Sequence, residues 1–103
     1  MSSETEIINI LCAISDRRIM KRFIHELFTQ TEIQDVALRW RLMQLLHGGV
    51  PQRRIAEMLG ISLCKITRGS KILKQHRSVS KKLLNQTAGD KNALRQKIKR
   101  SPG

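Results

Sequence analysis

Apolar residues recur at steps of three and four along most of the chain. Ile19, Phe23 and Leu27 share one such stripe, and residues 33–43 carry another. Because residues three and four apart lie on the same side of an α-helix, these stripes predict amphipathic helices. Alternating β-branched runs bounded by turn residues, which would predict strands, do not occur. The sequence therefore predicts an all-α fold.

Capping residues mark where the helices are expected to begin. Ser3 with Glu6, and Thr29 with Glu32, each fit a capping box, in which a hydroxyl and a carboxylate bond backbone N–H groups reciprocally. Pro51 suits the first position of a helix, where a missing N–H costs nothing. Further helix starts are expected after Asp16, Ser62 and Ser78, with the last helix reaching about residue 86, and breaks at residues 15–16, 48–49, 60 and 88–89.

Residues 52–71 fit a helix-turn-helix, two short helices joined by a tight turn that contains glycine. Gly60 is expected to open the turn with a positive φ, which a Cβ would resist. Ala56 is small enough to face a second helix that crosses close by. The apolar residues at spacings suited to packing the two helices together are Ile55, Leu59, Ile61 and Ile66.

Charge separates the two halves of the chain. The formal net charge is +12, yet residues 1–50 carry six basic and six acidic groups, so that half is neutral. Residues 51–103 carry fourteen Lys and Arg against only Glu57 and Asp90. A one-signed field on part of a small protein attracts a polyanion, and nucleic acid is the commonest such partner. A membrane surface is disfavoured, because no apolar run approaches the roughly 20 residues that span a bilayer.

In a helix-turn-helix the second helix enters the major groove and presents its N-terminal residues to base edges. Leu63 and Cys64 are suited to thymine methyl groups, Thr67 to bases or phosphate, and Lys65 to guanine or phosphate. Gln52 and Arg53, at the start of the preceding helix, are placed for phosphate. The predicted DNA-binding residues are Gln52, Arg53, Leu63, Cys64, Lys65, Thr67, Ser70, Lys71 and Lys74.

The run from Ile66 through Ser70, followed by Leu73 and Lys74, resembles the tryptophan operon repressor family, as do residues 45–48, 52–53 and 55–60. The resemblance implies an intertwined, all-helical homodimer with a helix-turn-helix head that binds a double-stranded DNA operator. On that basis we expect dimerisation helices in residues 1–49, the helix-turn-helix in residues 50–75, a C-terminal helix in residues 76–88 and a basic, flexible tail in residues 89–103. The protein would be a cytoplasmic bacterial repressor, associated with the nucleoid when bound.

The resemblance also implies L-tryptophan as corepressor. Arg39 and Arg68 would stack on the two faces of the indole, and Thr29 and Gly69 would border the pocket. Ile72 stands where family members usually carry a small hydroxyl residue, and Lys65 replaces a threonine-like residue. The helix from Arg39 to Leu46 also looks one residue shorter, which leaves Arg41 as a competitor for the role of Arg39. Another ligand, or none, is therefore an alternative.

Other chemistry finds little support in the sequence. The histidines lie far apart with no Cys or carboxylate at ligand spacing, so no metal site is expected. A catalytic thiol would be expected in a cleft, whereas Cys64 is expected beside Lys65 on the exposed recognition helix. Enzymatic activity is therefore not predicted. Trp40 is more readily a core or dimer anchor than a ligand wall. Residues 97–100 fit phosphate binding and a solvated end equally. The remaining functional alternative is a nonspecific basic module that binds nucleic acid by charge alone.

Overall fold

The structure is a computed structural model that describes residues 2–89, and the side chains of residues 2–87. No strand occurs in that part of the chain, so the predicted all-α class is confirmed there. The basic tail expected in residues 89–103 lies, beyond Gly89, outside the described residues. The helices are α1 (Ser3–Ala13), α2 (Arg17–Leu27), α3 (Gln30–His47), α4 (Gln52–Leu59), α5 (Leu63–Lys74) and α6 (Val79–Gly89).

The chain divides into two compact units, Met1–Ala37 and Leu38–Gly103. The first contains α1, α2 and the beginning of α3. No side chain of residues 2–37 is buried, and Ile8 and Ile19 are 51% and 56% exposed. The first unit therefore has no core of its own among these residues, although helices of this apolar content normally bury one face.

The second unit is organised by three aliphatic side chains, one from each of three helices. Leu42 of α3, Ile55 of α4 and Ile66 of α5 form a buried cluster, in which both isoleucines are fully buried. Burial of each such side chain contributes about 1.5–3 kcal/mol, so the cluster fixes how these helices cross. The predicted packing of Ile55, Leu59, Ile61 and Ile66 is confirmed. The partly buried side chains around the cluster are Leu45, Leu46, Val50, Ala56, Leu59 and Ile61.

Three of the predicted helix starts are confirmed by their hydrogen bonds. Thr29 N donates to Glu32 Oε1 (2.9 Å) and Glu32 N donates to Thr29 Oγ1 (3.1 Å), which is the reciprocal capping box. Asp16 Oδ1 accepts from Arg18 N at the start of α2 (2.8 Å). Ser78 Oγ accepts from Lys81 N at the start of α6 (3.1 Å). These side chains satisfy N–H groups that have no partner within the helix.

Two expected helix starts are wrong by one residue. The N-cap of α1 is Ser2, whose Oγ accepts from Thr5 N (3.2 Å), rather than Ser3. Adjacent serines both fit the capping pattern, and the first of them takes the position. Pro51 precedes the first residue of α4 rather than occupying it, because its backbone is extended while its carbonyl already accepts from Ile55 N (3.1 Å).

Two further expectations about the second unit are corrected. Ser62 holds the N-cap position of α5, but its side chain makes no capping hydrogen bond. α6 (Val79–Gly89) is still helical at Gly89, the last described residue, whereas the sequence predicted an end near residue 86 and a break at residues 88–89. Helix ends depend on tertiary packing as much as on local propensity, and α6 packs against α5 with Leu84 buried.

Candidate nucleic-acid interface

A glycine sets the angle between α4 and α5. Gly60 ends α4 in the left-handed region, with φ of 63°, and its N–H donates to the Ala56 carbonyl (2.9 Å). The predicted positive φ is thus confirmed, at a residue that pays no Cβ penalty for it. Ser62 is extended, and α5 starts at Leu63. Two short helices that pack against each other across a three-residue turn fit the helix-turn-helix pattern.

The inner face of α5 is defined by Ile66 and Gly69, both of which are buried. A Cβ placed on Gly69 would lie 3.3 Å from Leu42 Cδ2, closer than ordinary van der Waals contact, and 3.4 Å from Leu46 Cδ1. The backbone of α5 therefore approaches α3 at a point where a side chain would be crowded. This face of α5 packs against α3 and α4, and α6 also contacts α5, while the residues opposite Ile66 and Gly69 are exposed.

Almost all the residues that the sequence predicted to contact DNA are exposed, two at the start of α4 and the others on α5. Leu63, the first residue of α5, is an aliphatic side chain that is 51% exposed. Ser70 differs from the others in being half-buried. Their role in binding remains a prediction. The exposed members of the set are Gln52, Arg53, Leu63, Cys64, Lys65, Thr67, Lys71 and Lys74.

The hydroxyl of Thr67 is engaged within its own helix. Thr67 Oγ1 donates to the backbone carbonyl of Leu63, four residues earlier, at 2.9 Å. Threonine in a helix commonly bonds back to the preceding turn in this way. The side chain is nevertheless exposed, so its methyl group and the remaining acceptor capacity of its oxygen are available to a partner.

Positive charge on α5 is not neutralised by nearby carboxylates. The one ion pair in the described part of the chain joins Arg54 Nη1 to Glu57 Oε2 on α4, at 3.9 Å and with both side chains largely exposed. Lys65, Arg68 and Lys71 have no such partner among residues 2–87. A helix with unpaired cations on its solvent face attracts a polyanion.

The four residues expected to hold a ligand are placed differently. Arg39 and Arg68 are exposed, and Gly69 is buried. Thr29 lies in the first unit and uses its N–H and its hydroxyl in the capping box with Glu32. Ile72, on the same helix as Arg68, is half-buried. Their role as a ligand site stays a prediction.

Helix geometry separates Arg39 from its competitor Arg41. Arg39 precedes Leu42 by three residues and Leu46 by seven, so at about 100° per residue it lies within about 60° of both. Arg41 lies about 100° from Leu42 and about 140° from Leu46 on the same scale. Leu42 and Leu46 are the residues that Gly69 approaches. Arg39 is therefore on the side of α3 that faces α5.

One polar contact in the second unit had no signal in the sequence. His47 Nε2, at the end of α3, lies 2.7 Å from Asn85 Oδ1 on α6, a hydrogen bond between residues 38 apart. Asn85 carries no motif that would have marked it. The contact ties α6 to α3, so it supports the position of α5 indirectly.

These features define a small all-α protein in which a basic, solvent-facing helix, α5, packs against α4 and follows it after a glycine turn. A family model described as "Trp repressor protein" matches residues 4–88. The chain belongs to the Trp repressor protein family, as its sequence indicated. No helix in residues 2–89 is long and apolar enough to cross a membrane.

Several curated relatives share part of the sequence. The chain is 42% identical over 59 residues to the Trp operon repressor homolog of Chlamydia trachomatis serovar D, covering 52% of this chain and 63% of that protein. It is 37% identical over 65 residues to the homolog of Xylella fastidiosa strain M23, covering 62% and 71%. The match thus spans less than two thirds of the Chlamydia protein.

A longer match is found at lower identity. The Trp operon repressor homolog of Vibrio campbellii is 30% identical over 77 residues, which cover 74% of this chain and 77% of that protein. No solved structure matches the chain at a significant level.

Proposed function

We propose that this chain is a sequence-specific DNA-binding transcriptional repressor that acts as a homodimer. The observation that carries the proposal is the two-sidedness of α5. Ile66 and Gly69 are buried against the rest of the second unit, while the opposite face is exposed and basic. That is the arrangement in which a helix can enter the major groove without disturbing the core.

The exposed residues of α5 divide by chemistry into two groups. Leu63, Cys64 and Thr67, in the first turns, would face base edges, where apolar and hydroxyl groups discriminate between bases. Lys65, Lys71 and Lys74 would neutralise phosphates, which supplies affinity and orientation rather than sequence preference. Gln52 and Arg53, at the exposed start of α4, would hold the phosphate backbone with the N-terminus of that helix.

The first unit supports the homodimer. None of its side chains in residues 2–37 is buried, and Ile8, Ile19 and Val36 each expose half or more of their surface. Apolar surface of this extent marks a contact with another chain. A second copy would cover it, and a dimer would present two copies of α5, as binding to half-sites about 34 Å apart requires.

L-Tryptophan is the proposed corepressor. Arg39 lies on the side of α3 that faces α5, and Arg68 neighbours Gly69 at the point where the two helices approach. Guanidinium groups stack on indole rings with about 0.5–2 kcal/mol each. A ligand held there would favour the spacing of α5 that fits the operator. The regulated genes would then be those of tryptophan biosynthesis or uptake.

A second function, binding of nucleic acid by charge alone, is favoured by one observation. Fourteen of the twenty Lys and Arg residues lie after residue 50. Charge alone predicts the same affinity for every duplex and a steep fall in affinity with salt. Sequence-specific binding predicts that the affinity for a selected site exceeds the affinity for unrelated DNA by a factor of about 10³ or more.

The deciding experiment is selection of duplexes from a random library by the full chain, with and without L-tryptophan. The selected duplex and a shuffled duplex of the same composition are then compared by gel shift at one salt concentration. A preference that increases with L-tryptophan supports both parts of the proposal. Equal affinities would leave charge-only binding. A preference for the selected duplex without any calorimetric response to millimolar L-tryptophan would exclude L-tryptophan as corepressor and would still support sequence-specific DNA binding.

A further inference from the structure

We infer that Thr67 reads DNA through its methyl group rather than its hydroxyl, and that its target is the 5-methyl group of a thymine in the major groove. The inference rests on the proposed function. It starts from the hydrogen bond in which Thr67 Oγ1 donates to the Leu63 carbonyl (2.9 Å). A hydroxyl has one proton, so a threonine held in this way has no donor left for a base, and its oxygen could only accept a hydrogen bond.

A base could use the hydroxyl as a donor only after that bond is broken. The Leu63 carbonyl belongs to the first turn of α5, and a base would have to replace a short hydrogen bond that is already formed. The same bond selects one of the two side-chain rotamers that threonine adopts in helices. A β-branched side chain held in one rotamer presents its methyl group at a fixed position, at little further entropic cost.

The surroundings of Thr67 are apolar on the side where bases would lie. Leu63 is four residues earlier and Cys64 three residues earlier, so all three side chains share one strip of the helix surface. Leu63 is 51% exposed, and Cys64 and Thr67 are also exposed. These three residues, here called the methyl strip, offer an apolar surface at the end of α5 that meets base edges first.

Two cations of α5 lie along one side of the methyl strip. Arg68 and Lys65 lie about 40° and about 100° beyond Cys64, in the same direction around the helix. Both are exposed and without an ion-pair partner in residues 2–87. An apolar strip with cations along one side fits a major groove, where thymine methyl groups lie beside a phosphate backbone.

Two variants of nearly the same size separate the methyl from the hydroxyl. Thr67→Val keeps the branch and both methyl-sized positions but has no hydroxyl, whereas Thr67→Ser keeps the hydroxyl and lacks the methyl. The probe is the duplex that the wild-type chain selects from a random library. In matched probes one thymine at a time is replaced by uracil, which removes only the 5-methyl group. Circular dichroism confirms that both variants keep the helical content of the wild type.

We expect Thr67→Val to bind the selected duplex as the wild type does. Thr67→Ser should bind about fourfold more weakly per half-site, the effect of one apolar group of this size leaving its contact. One uracil position should weaken the wild type and Thr67→Val by a similar factor and leave Thr67→Ser unaffected. Such non-additivity is the signature of a direct contact.

Other outcomes overturn the inference. Weaker binding by Thr67→Val would show that the hydroxyl acts on DNA, and full binding by Thr67→Ser would show that the methyl does not. A Thr67→Ser variant that keeps the wild-type uracil penalty would place the thymine elsewhere. These results differ from failure of the proposed function, in which the wild type selects no sequence at all and the inference is lost with it.

Discussion

Gly69 on α5 faces Leu42 on α3 so closely that a Cβ on the glycine would lie 3.3 Å from Leu42 Cδ2. Leu42 is itself part of the buried cluster with Ile55 and Ile66. The close approach lets one side of α5 be sealed by α3 while the other stays in solvent. The exposed face depends on a residue that carries no side chain.

We predict that Gly69→Val destabilises the fold by about 1–3 kcal/mol, because overpacking a filled core forces neighbouring side chains out of position. Urea unfolding followed by circular dichroism measures the change. Lys71→Val, on the exposed face of the same helix, is the matched control and should change stability far less. Equal effects of the two substitutions would mean that α3 does not approach α5 at Gly69.

A substitution at Gly60 tests the turn between α4 and α5. Its φ is 63° and a Cβ there would meet no atom within 4 Å, so a side chain costs backbone strain without a clash. Gly60→Ala should lose about 1 kcal/mol, and Gly60→Asn should lose less, since asparagine tolerates the left-handed region better. Thermal unfolding of the two variants provides the comparison. A fully stable Gly60→Ala variant would contradict the left-handed turn.

The capping box of α3 predicts a measurable pKa. The backbone N–H of Thr29, and after it the Thr29 side chain, hold the pKa of Glu32 below its ordinary value of 4.5. Because the folded-state pKa is lowered, the stabilisation from this carboxylate is present above pH 4.5 and is lost as pH falls through the folded-state pKa. Carbon-detected NMR titration of Glu32 should show the lowered value.

Thr29→Ala should raise the pKa of Glu32 part of the way to 4.5, since it removes the side-chain hydrogen bond and keeps the backbone one. Thr31→Ala, an exposed neighbour, serves as the control and should leave the value unchanged. A wild-type value at or above 4.5, or no response to Thr29→Ala, would contradict the capping box.

Arg39 and Arg41 form a matched pair for the ligand proposal. L-Tryptophan at about one hundred times its dissociation constant should stabilise the wild type by about 2.7 kcal/mol. Arg39→Ala and Arg68→Ala should lose most of that stabilisation, and Arg41→Ala should keep it, because Arg41 points away from Leu42 and Leu46. Differential scanning fluorimetry reports the shift. Loss in Arg41→Ala with retention in Arg39→Ala would reverse our assignment of the α3 face.

Much of this arrangement could be predicted from local signals. Helical spacing was enough to place Ile55 and Ile66 in the core, because one turn of helix repeats every 3.6 residues. The positive φ of Gly60 could be predicted because only a few residue types adopt that conformation. Thr29 and Glu32 were readable because both partners of the capping box lie within one turn.

The remainder depended on contacts between distant parts of the chain. His47 and Asn85 bond across 38 residues, and neither belongs to a pattern. Gly69 was expected to border a ligand, and its crowding against Leu42 requires knowledge of the helix crossing. Ser2 and Ser3 were locally equivalent, so the sequence alone chose the wrong one. The bond from Thr67 to the Leu63 carbonyl depends on a rotamer, which no spacing specifies.

The most direct test of the account is to map the DNA contact on the full chain by amide NMR. The selected duplex is titrated into labelled protein, and the shifts of residues 2–89 are compared with those caused by a shuffled duplex. We predict that the largest sequence-dependent changes occur from Leu63 to Lys71, with smaller ones at Gln52 and Arg53. Changes confined to α1 and α2, or identical for both duplexes, would contradict the claim that the exposed face of α5 reads DNA.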